Sequence, residues 1–150
     1  VKLDSVDKIL DFAIEKEQEA ADFYKELASK MERPAMKEVF IGFSKEEMGH
    51  KAKLQGVKTG KKLVLPSAKI TDLKIGDHLV DQEPTGKLDY QQALIVAMKA
   101  EKAAYTLYMS LADVTNDASL KELFGALAQE EAKHKLRFEV EYDDVILKHN

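Results

Sequence analysis

Two Glu-x-x-His pairs stand in this chain, Glu47 with His50 and Glu131 with His134. Each pair begins 30 residues after another glutamate, Glu17 or Glu101. Residues three apart on a helix share a face, so a glutamate and a histidine at that spacing can both reach one metal region. Carboxylate oxygen and imidazole nitrogen suit iron or manganese, and zinc also accepts them. A buried carboxylate with no partner costs several kcal/mol or takes up a proton. Two divalent cations would match the four negative charges of Glu17, Glu47, Glu101 and Glu131, with neutral His50 and His134 completing the shell. One Glu-x-x-His pair is commonplace, and a lone helix glutamate is ordinarily solvated. The specificity comes from finding the same set twice.

The elements that must position these residues are legible from punctuation and periodicity. Residues 5–32 contain neither glycine nor proline and read as a first helix. Pro34 suits the first turn of a second helix, which runs to the region of Gly56 to Gly60. Gly60, Pro66, Gly76, Pro84 and Gly86 then interrupt a long connection, about 60–88, with room for a short helix near 71–80. Asp89 with Gln92 forms a capping box for a third helix running to about Asp113. Asn116 or Asp117 can cap a fourth. This is an all-α pattern: four long helices, two short links and one long crossover between the second and third.

Alternating steps of four and three residues define one inward seam per helix. The seams are Leu10, Ile14, Glu17, Ala21, Tyr24, Ala28, Met31; Met36, Phe40, Phe43, Glu47, His50, Leu54, Val57; Leu94, Met98, Glu101, Tyr105, Tyr108, Ala112; and Leu120, Phe124, Leu127, Glu131, His134, Phe138. Each carries a carboxylate where an apolar residue is expected, and two also carry a histidine. The halves of the chain, about 5–59 and 89–143, align without gaps at an offset of 84. Glu17 then matches Glu101, Tyr24 matches Tyr108, Leu27 matches Leu111, Phe40 matches Phe124, Glu47 matches Glu131 and His50 matches His134. One helical hairpin is used twice, and two such hairpins packed about a pseudo-twofold axis would bring the four seams together. Tyr24 and Tyr108 lie two turns beyond Glu17 and Glu101 on the same faces, placed to donate hydrogen bonds to ligating carboxylates. Glu46 and Glu130 also precede the histidines, by four residues, but the seams favour Glu47 and Glu131. His78 and His149 fall outside the repeat and read as surface residues, and Met31, Met36 and Met98 read as core filler.

The bulk numbers agree with such a chain and exclude several others. The 150 residues are enough for one domain with a sizeable core. Hydrophobic residues make up 45% and charged residues 33%, the balance of a globular protein with solvated helix faces. The net charge is −4 with the two signs interleaved, and no basic block points to nucleic acid. No apolar run approaches the ~20 residues of a membrane span. Val1-Lys2-Leu3-Asp4-Ser5-Val6-Asp7 lacks the apolar region of a signal peptide, so a cytoplasmic protein is expected. Cysteine is absent, which rules out disulfides and thiolate-held zinc or iron among these residues.

The motifs Glu17-Gln-Glu-Ala-Ala-Asp-Phe-Tyr24, Glu47-Met-Gly-His50, Glu101-Lys-Ala-Ala-Tyr-Thr-Leu-Tyr108 and Glu131-Ala-Lys-His134 resemble the rubrerythrin family of the ferritin-like superfamily. The resemblance spans all four helices. It implies a ferritin-like four-helix bundle with a non-haem di-iron centre, reductive chemistry on hydrogen peroxide or dioxygen, and commonly a homodimer. It also implies Glu47 and Glu131 as bridging carboxylates, with Glu17, Glu101, His50 and His134 capping. Two departures stand out. Rubrerythrins proper carry a rubredoxin-like domain whose iron is held by four cysteines, so here electrons would come from an external donor. They also place a further glutamate one turn after the third-helix ligand, where this chain has Ala104. That substitution makes the site symmetric and moves it toward a ferroxidase centre of the bacterioferritin type. The leading expectation is therefore a di-iron oxidoreductase, peroxidase- or ferroxidase-like. A non-catalytic iron-binding or storage protein, and a ferritin-like hydroxylase with an organic substrate, are the alternatives.

Overall fold

A computed structural model describes residues 5–60 and 89–147. Four helices of equal length carry the chain: α1 (Val6–Lys30), α2 (Pro34–Lys58), α3 (Tyr90–Val114) and α4 (Ala118–Tyr142). A π-helical turn, Asp143–Leu147, extends α4. The short helix anticipated near 71–80, His78, His149 and all but the first residue of the anticipated connection lie outside the described residues.

Local chemistry explains where each helix begins and ends. The Ser5 hydroxyl accepts from the Lys8 N–H at 3.2 Å and so satisfies a donor that the first turn of α1 leaves open. No side chain caps α2, and Pro34 starts it instead. Gly60, at a φ of 96°, lies just past the end of α2 in the left-handed region that a side chain would resist. The Asp89 carboxylate accepts from the Gln92 N–H at 2.7 Å, while the Gln92 side chain accepts from the Asp89 N–H at 3.1 Å. That is the anticipated capping box. Of the two candidates before α4, Asp117 is the cap, accepting from the Leu120 N–H at 3.0 Å.

The apolar seams pack in two clusters. One joins Tyr24, Leu27 and Met31 of α1, Phe40 and Phe43 of α2, Leu94 and Met98 of α3, and Phe138 of α4. The other joins Leu10 and Ala13 of α1, Leu54 of α2, Tyr108 and Leu111 of α3, and Phe124 and Leu127 of α4. The first cluster thus gathers the end of α1, the start of α2, the start of α3 and the end of α4. So α2 and α3 run the same way, and α2 finishes at the opposite end of the bundle from where α3 begins. A single long crossover between hairpins imposes that arrangement. Helix α1 packs along α2, and α3 packs along α4.

Some outer seam positions drift off the core. Ile14, Met36, Val57, Tyr105 and Ala112 are half-buried, whereas Ala13, Leu27 and Leu111 are fully buried. A straight helix turns about 20° per heptad away from a strict seven-residue repeat, so its end positions rotate sideways. Among the described residues, no helix is long and apolar enough to cross a membrane.

Phe138 is the aromatic keystone of the first cluster. Its ring stacks on Phe43 at 4.0 Å between centroids, and it also meets Tyr24 at 5.8 Å and Phe40 at 6.0 Å. Phe138→Ala should cost about 3–5 kcal/mol, since it forfeits burial and leaves a cavity. Urea unfolding of the metal-free protein measures it, and a loss below about 1 kcal/mol would show that the cluster can collapse around the gap.

Candidate metal centre

Between the two clusters lies one polar layer. Glu17 comes from α1, Glu47 and His50 from α2, Glu101 from α3, and Glu131 and His134 from α4. None of the six is more than 4% exposed. Their donor atoms converge. One atom each from Glu17, Glu47, His50 and Glu131 lies within 4.8 Å of the other three, and the same holds for Glu47, Glu101, Glu131 and His134. Glu47 and Glu131 belong to both groups. The two imidazoles stack 5.7 Å apart and 3° from parallel, as related copies of one motif should.

The layer is crowded with acceptors and short of donors. Glu17 Oε2, Glu47 Oε1, Glu101 Oε2, both Glu131 oxygens and both histidine Nδ1 atoms are buried without a hydrogen-bond partner. His50 Nδ1 approaches Glu131 at 3.0 Å and Glu17 and Glu47 at 3.6 Å, but makes no hydrogen bond. His134 Nδ1 approaches Glu47 at 3.2 Å and Glu101 at 3.4 Å in the same way. Buried polar atoms are almost always paired. Seven orphans pointing at one small volume are therefore a strong departure, and oxygen and imidazole donors are what a divalent transition metal takes. The cluster could hold metal ions, and its donor set fits two.

The protonation equilibria describe the same strain. Burial pushes the Glu47 carboxyl up to about 7; His134 opposes the rise, while Glu101 and Glu17 add to it. Burial and then the charge of Glu131 hold Glu101 well above the carboxylate range. For His50, burial pulls down, but contact with Glu131 and Glu17 outweighs it and lifts the ring to about 10. His134 is raised too, because Glu101, Glu131, Glu46 and Glu47 together overcome its burial. Protons are the stand-in cations of the metal-free layer.

The tyrosines donate to carboxylates of the layer, as their place on the seams suggests, and they do so across the hairpins. Tyr24 on α1 donates to Glu101 on α3, and Tyr108 on α3 donates to Glu17 on α1. Burial first, and then the facing carboxylates, push both phenols well above their ordinary value, so they remain donors. Neither alternative carboxylate joins the converging donor groups, though Glu46 reaches the outer nitrogen of His134 at 3.6 Å. Glu46 is exposed and pairs with Arg137, and Glu130 pairs with Lys133 at 3.1 Å. Ala104 is half-buried and offers no donor. Sequence reasoning passed over Arg137, whose guanidinium lies over the Phe43 ring, and the buried pair Lys135–Glu139 at 3.3 Å. Arg137 stands three residues after His134, on a neighbouring face, and that spacing was its only signal.

Comparison with known proteins supplies a family for this arrangement. The rubrerythrin family model matches residues 8–142. The chain belongs to the rubrerythrin family. Its bundle is also similar to the solved structure of a hypothetical protein from Pyrococcus furiosus, at 29% identity and a TM-score of 0.64, over 93% of this chain and 89% of that one. No curated protein matches it.

The shifted groups set a pH dependence for this rubrerythrin-family bundle. A group whose folded pKa lies above its unfolded one binds its proton more tightly in the folded state. The stability that gives is complete below the unfolded value and is lost as pH rises through the folded value. For Glu47 the window runs from 4.5 to about 7, and for His50 from 6.5 to about 10. The metal-free protein should therefore melt at progressively lower temperature from pH 5 to pH 9, as thermal scans by circular dichroism would show. A melting temperature that rises over that range would contradict the charge balance described here.

Proposed function

We propose that the six buried residues ligate two iron ions in a redox protein that reduces hydrogen peroxide or dioxygen. Electrons come from an external donor. The observation that carries this reading is the convergence of seven unpartnered donor atoms, in two overlapping groups of four residues, inside an apolar core. Membership of the rubrerythrin family supports iron over manganese or zinc. Bound ferrous ions would supply one electron each, enough with two protons to convert peroxide into two waters.

The chain's own residues do the rest. Glu47 and Glu131, common to both groups, would serve both ions, and Glu17 with His50 and Glu101 with His134 would each serve one. Tyr24 and Tyr108 hold the capping carboxylates at fixed angles across the interface of the hairpins. Phe40, Phe43 and Phe138 on one side, and Leu54, Phe124 and Leu127 on the other, keep bulk water from the layer. Low polarity there strengthens every charge contact within it.

A specific observation favours a second reading, oxidation of ferrous iron as in a ferroxidase. Ala104 leaves α3 with no extra carboxylate, and the two donor groups are near copies of each other. Anaerobic loading with ferrous iron followed by stoichiometric peroxide separates the readings. Two bound irons and prompt near-ultraviolet ferric absorption are expected. Reaction with dioxygen but not peroxide would favour the ferroxidase, and no stoichiometric iron would overturn the di-metal assignment.

The shared roles make a separate prediction. Glu131→Ala should abolish stoichiometric binding of both ions, whereas Glu17→Ala should spare one, as metal analysis after desalting would show. Equal losses in the two variants would contradict the shared-ligand arrangement.

A further inference from the structure

The two halves of the centre look alike through the six ligands, but behind the histidines they differ. His134 turns Nδ1 toward the carboxylates, and the opposite ring nitrogen, Nε2, lies 3.6 Å from Glu46 Oε1. If Nδ1 ligates a metal, the neutral ring carries its proton on Nε2, aimed at that carboxylate. Glu46 is itself held. Arg137 Nη1 donates to both of its oxygens, at 3.1 and 2.8 Å. The Arg137 guanidinium rests 4.4 Å from the centre of the Phe43 ring. Phe43 in turn meets the His134 ring edge-on, 5.0 Å away and at 88°. Glu46 and Phe43 from α2 thus border the outer edge of one imidazole, and Arg137 from α4 ties those two together.

The pseudo-symmetric positions do not repeat this cage. At the offset of 84, Glu46 corresponds to Glu130, Arg137 to Lys53 and Phe43 to Leu127. Glu130 turns to Lys133 on its own helix, at 3.1 Å. The carboxylates that reach His50 all approach Nδ1, from within the layer. His50 therefore has no orienting carboxylate behind it among the described residues.

We propose that Glu46 is a positioning residue for His134, and that it makes the half of the centre built from Glu47, Glu101, Glu131 and His134 the tighter and first-filled metal position. The inference rests on the di-metal reading above. A carboxylate behind a ligating histidine fixes its tautomer and ring angle and raises its basicity. Losing such a partner typically lowers metal affinity roughly 10–100-fold. Arg137, donating to both Glu46 oxygens, keeps that carboxylate beside the ring.

The test titrates cobalt(II) into the metal-stripped full chain by calorimetry, with thermal melts confirming that each variant folds. The unsubstituted protein should bind two ions in unequal steps. Glu46→Gln should weaken the tighter step roughly 10–100-fold, and Glu130→Gln should leave both steps unchanged. Proton spectra of the unsubstituted protein give a readout independent of any variant. At one equivalent of cobalt, a single paramagnetically shifted, exchangeable imidazole N–H should appear, with a nuclear Overhauser contact to the Phe43 ring. Two equal steps, an unchanged tight step in Glu46→Gln, or a first N–H signal without the Phe43 contact would each overturn the positioning role while leaving the di-metal reading intact. Failure to bind cobalt stoichiometrically would overturn both.

Discussion

Four carboxyl groups and two imidazoles share one layer of an otherwise apolar core, with aromatic side chains packed on one side and mainly aliphatic ones on the other. Mutual repulsion of the carboxylates, unscreened by water, is the constraint to which the surrounding architecture answers. In a medium of low polarity a charge is costly alone and valuable when paired. The same burial that lifts Glu47 and Glu101 out of the ordinary carboxylate range makes the layer a strong trap for cations. The phenols of Tyr24 and Tyr108 relieve one oxygen each of Glu101 and Glu17, but Glu131 has neither oxygen satisfied. That residue, fully buried and common to both donor groups, is where the demand for positive charge is greatest.

Duplication explains the geometry, and departures from it give the centre its individuality. The hairpin α1–α2 and the hairpin α3–α4 contribute the same three buried side chains, Glu, Glu and His, in the same order. Their helix starts, aromatic partners and outer contacts differ: a proline-led α2 against a capped α4, Phe43 against Leu127, Arg137 against Lys53. Residues bound to the same chemistry stay matched across the repeat, while their neighbours vary. Such variation is the simplest way for a symmetric scaffold to give two positions different affinities.

Most of the fold, and the gathering of the buried glutamates and histidines in one layer, were legible in the sequence because both rest on periodicity. A glutamate in an apolar seam is an anomaly whichever way the helix is turned, and the repeat at 84 doubled each anomaly. Helix ends were readable for the same local reason, since Asp89 with Gln92 and Asp117 carry their partners within three residues. What a linear reading could not give was which helix faces which. For Tyr24 the kind of partner was legible, a carboxylate of the layer, but not that it is Glu101 of the other hairpin, because spacing along one helix says nothing of the neighbour across the seam. Arg137 was missed for a related reason: its partners Glu46 and Phe43 lie on another helix, some 90 residues away in sequence.

The crossed tyrosines have a consequence for assembly. Each hairpin supplies the phenol that meets a buried glutamate of the other, and each group of four donors draws on both hairpins. A hairpin on its own therefore holds part of each donor group and a complete version of neither. A register slip by one turn between the hairpins would separate both phenols from their carboxylates and scatter both donor groups at once, so only the correctly seated bundle brings the polar layer together.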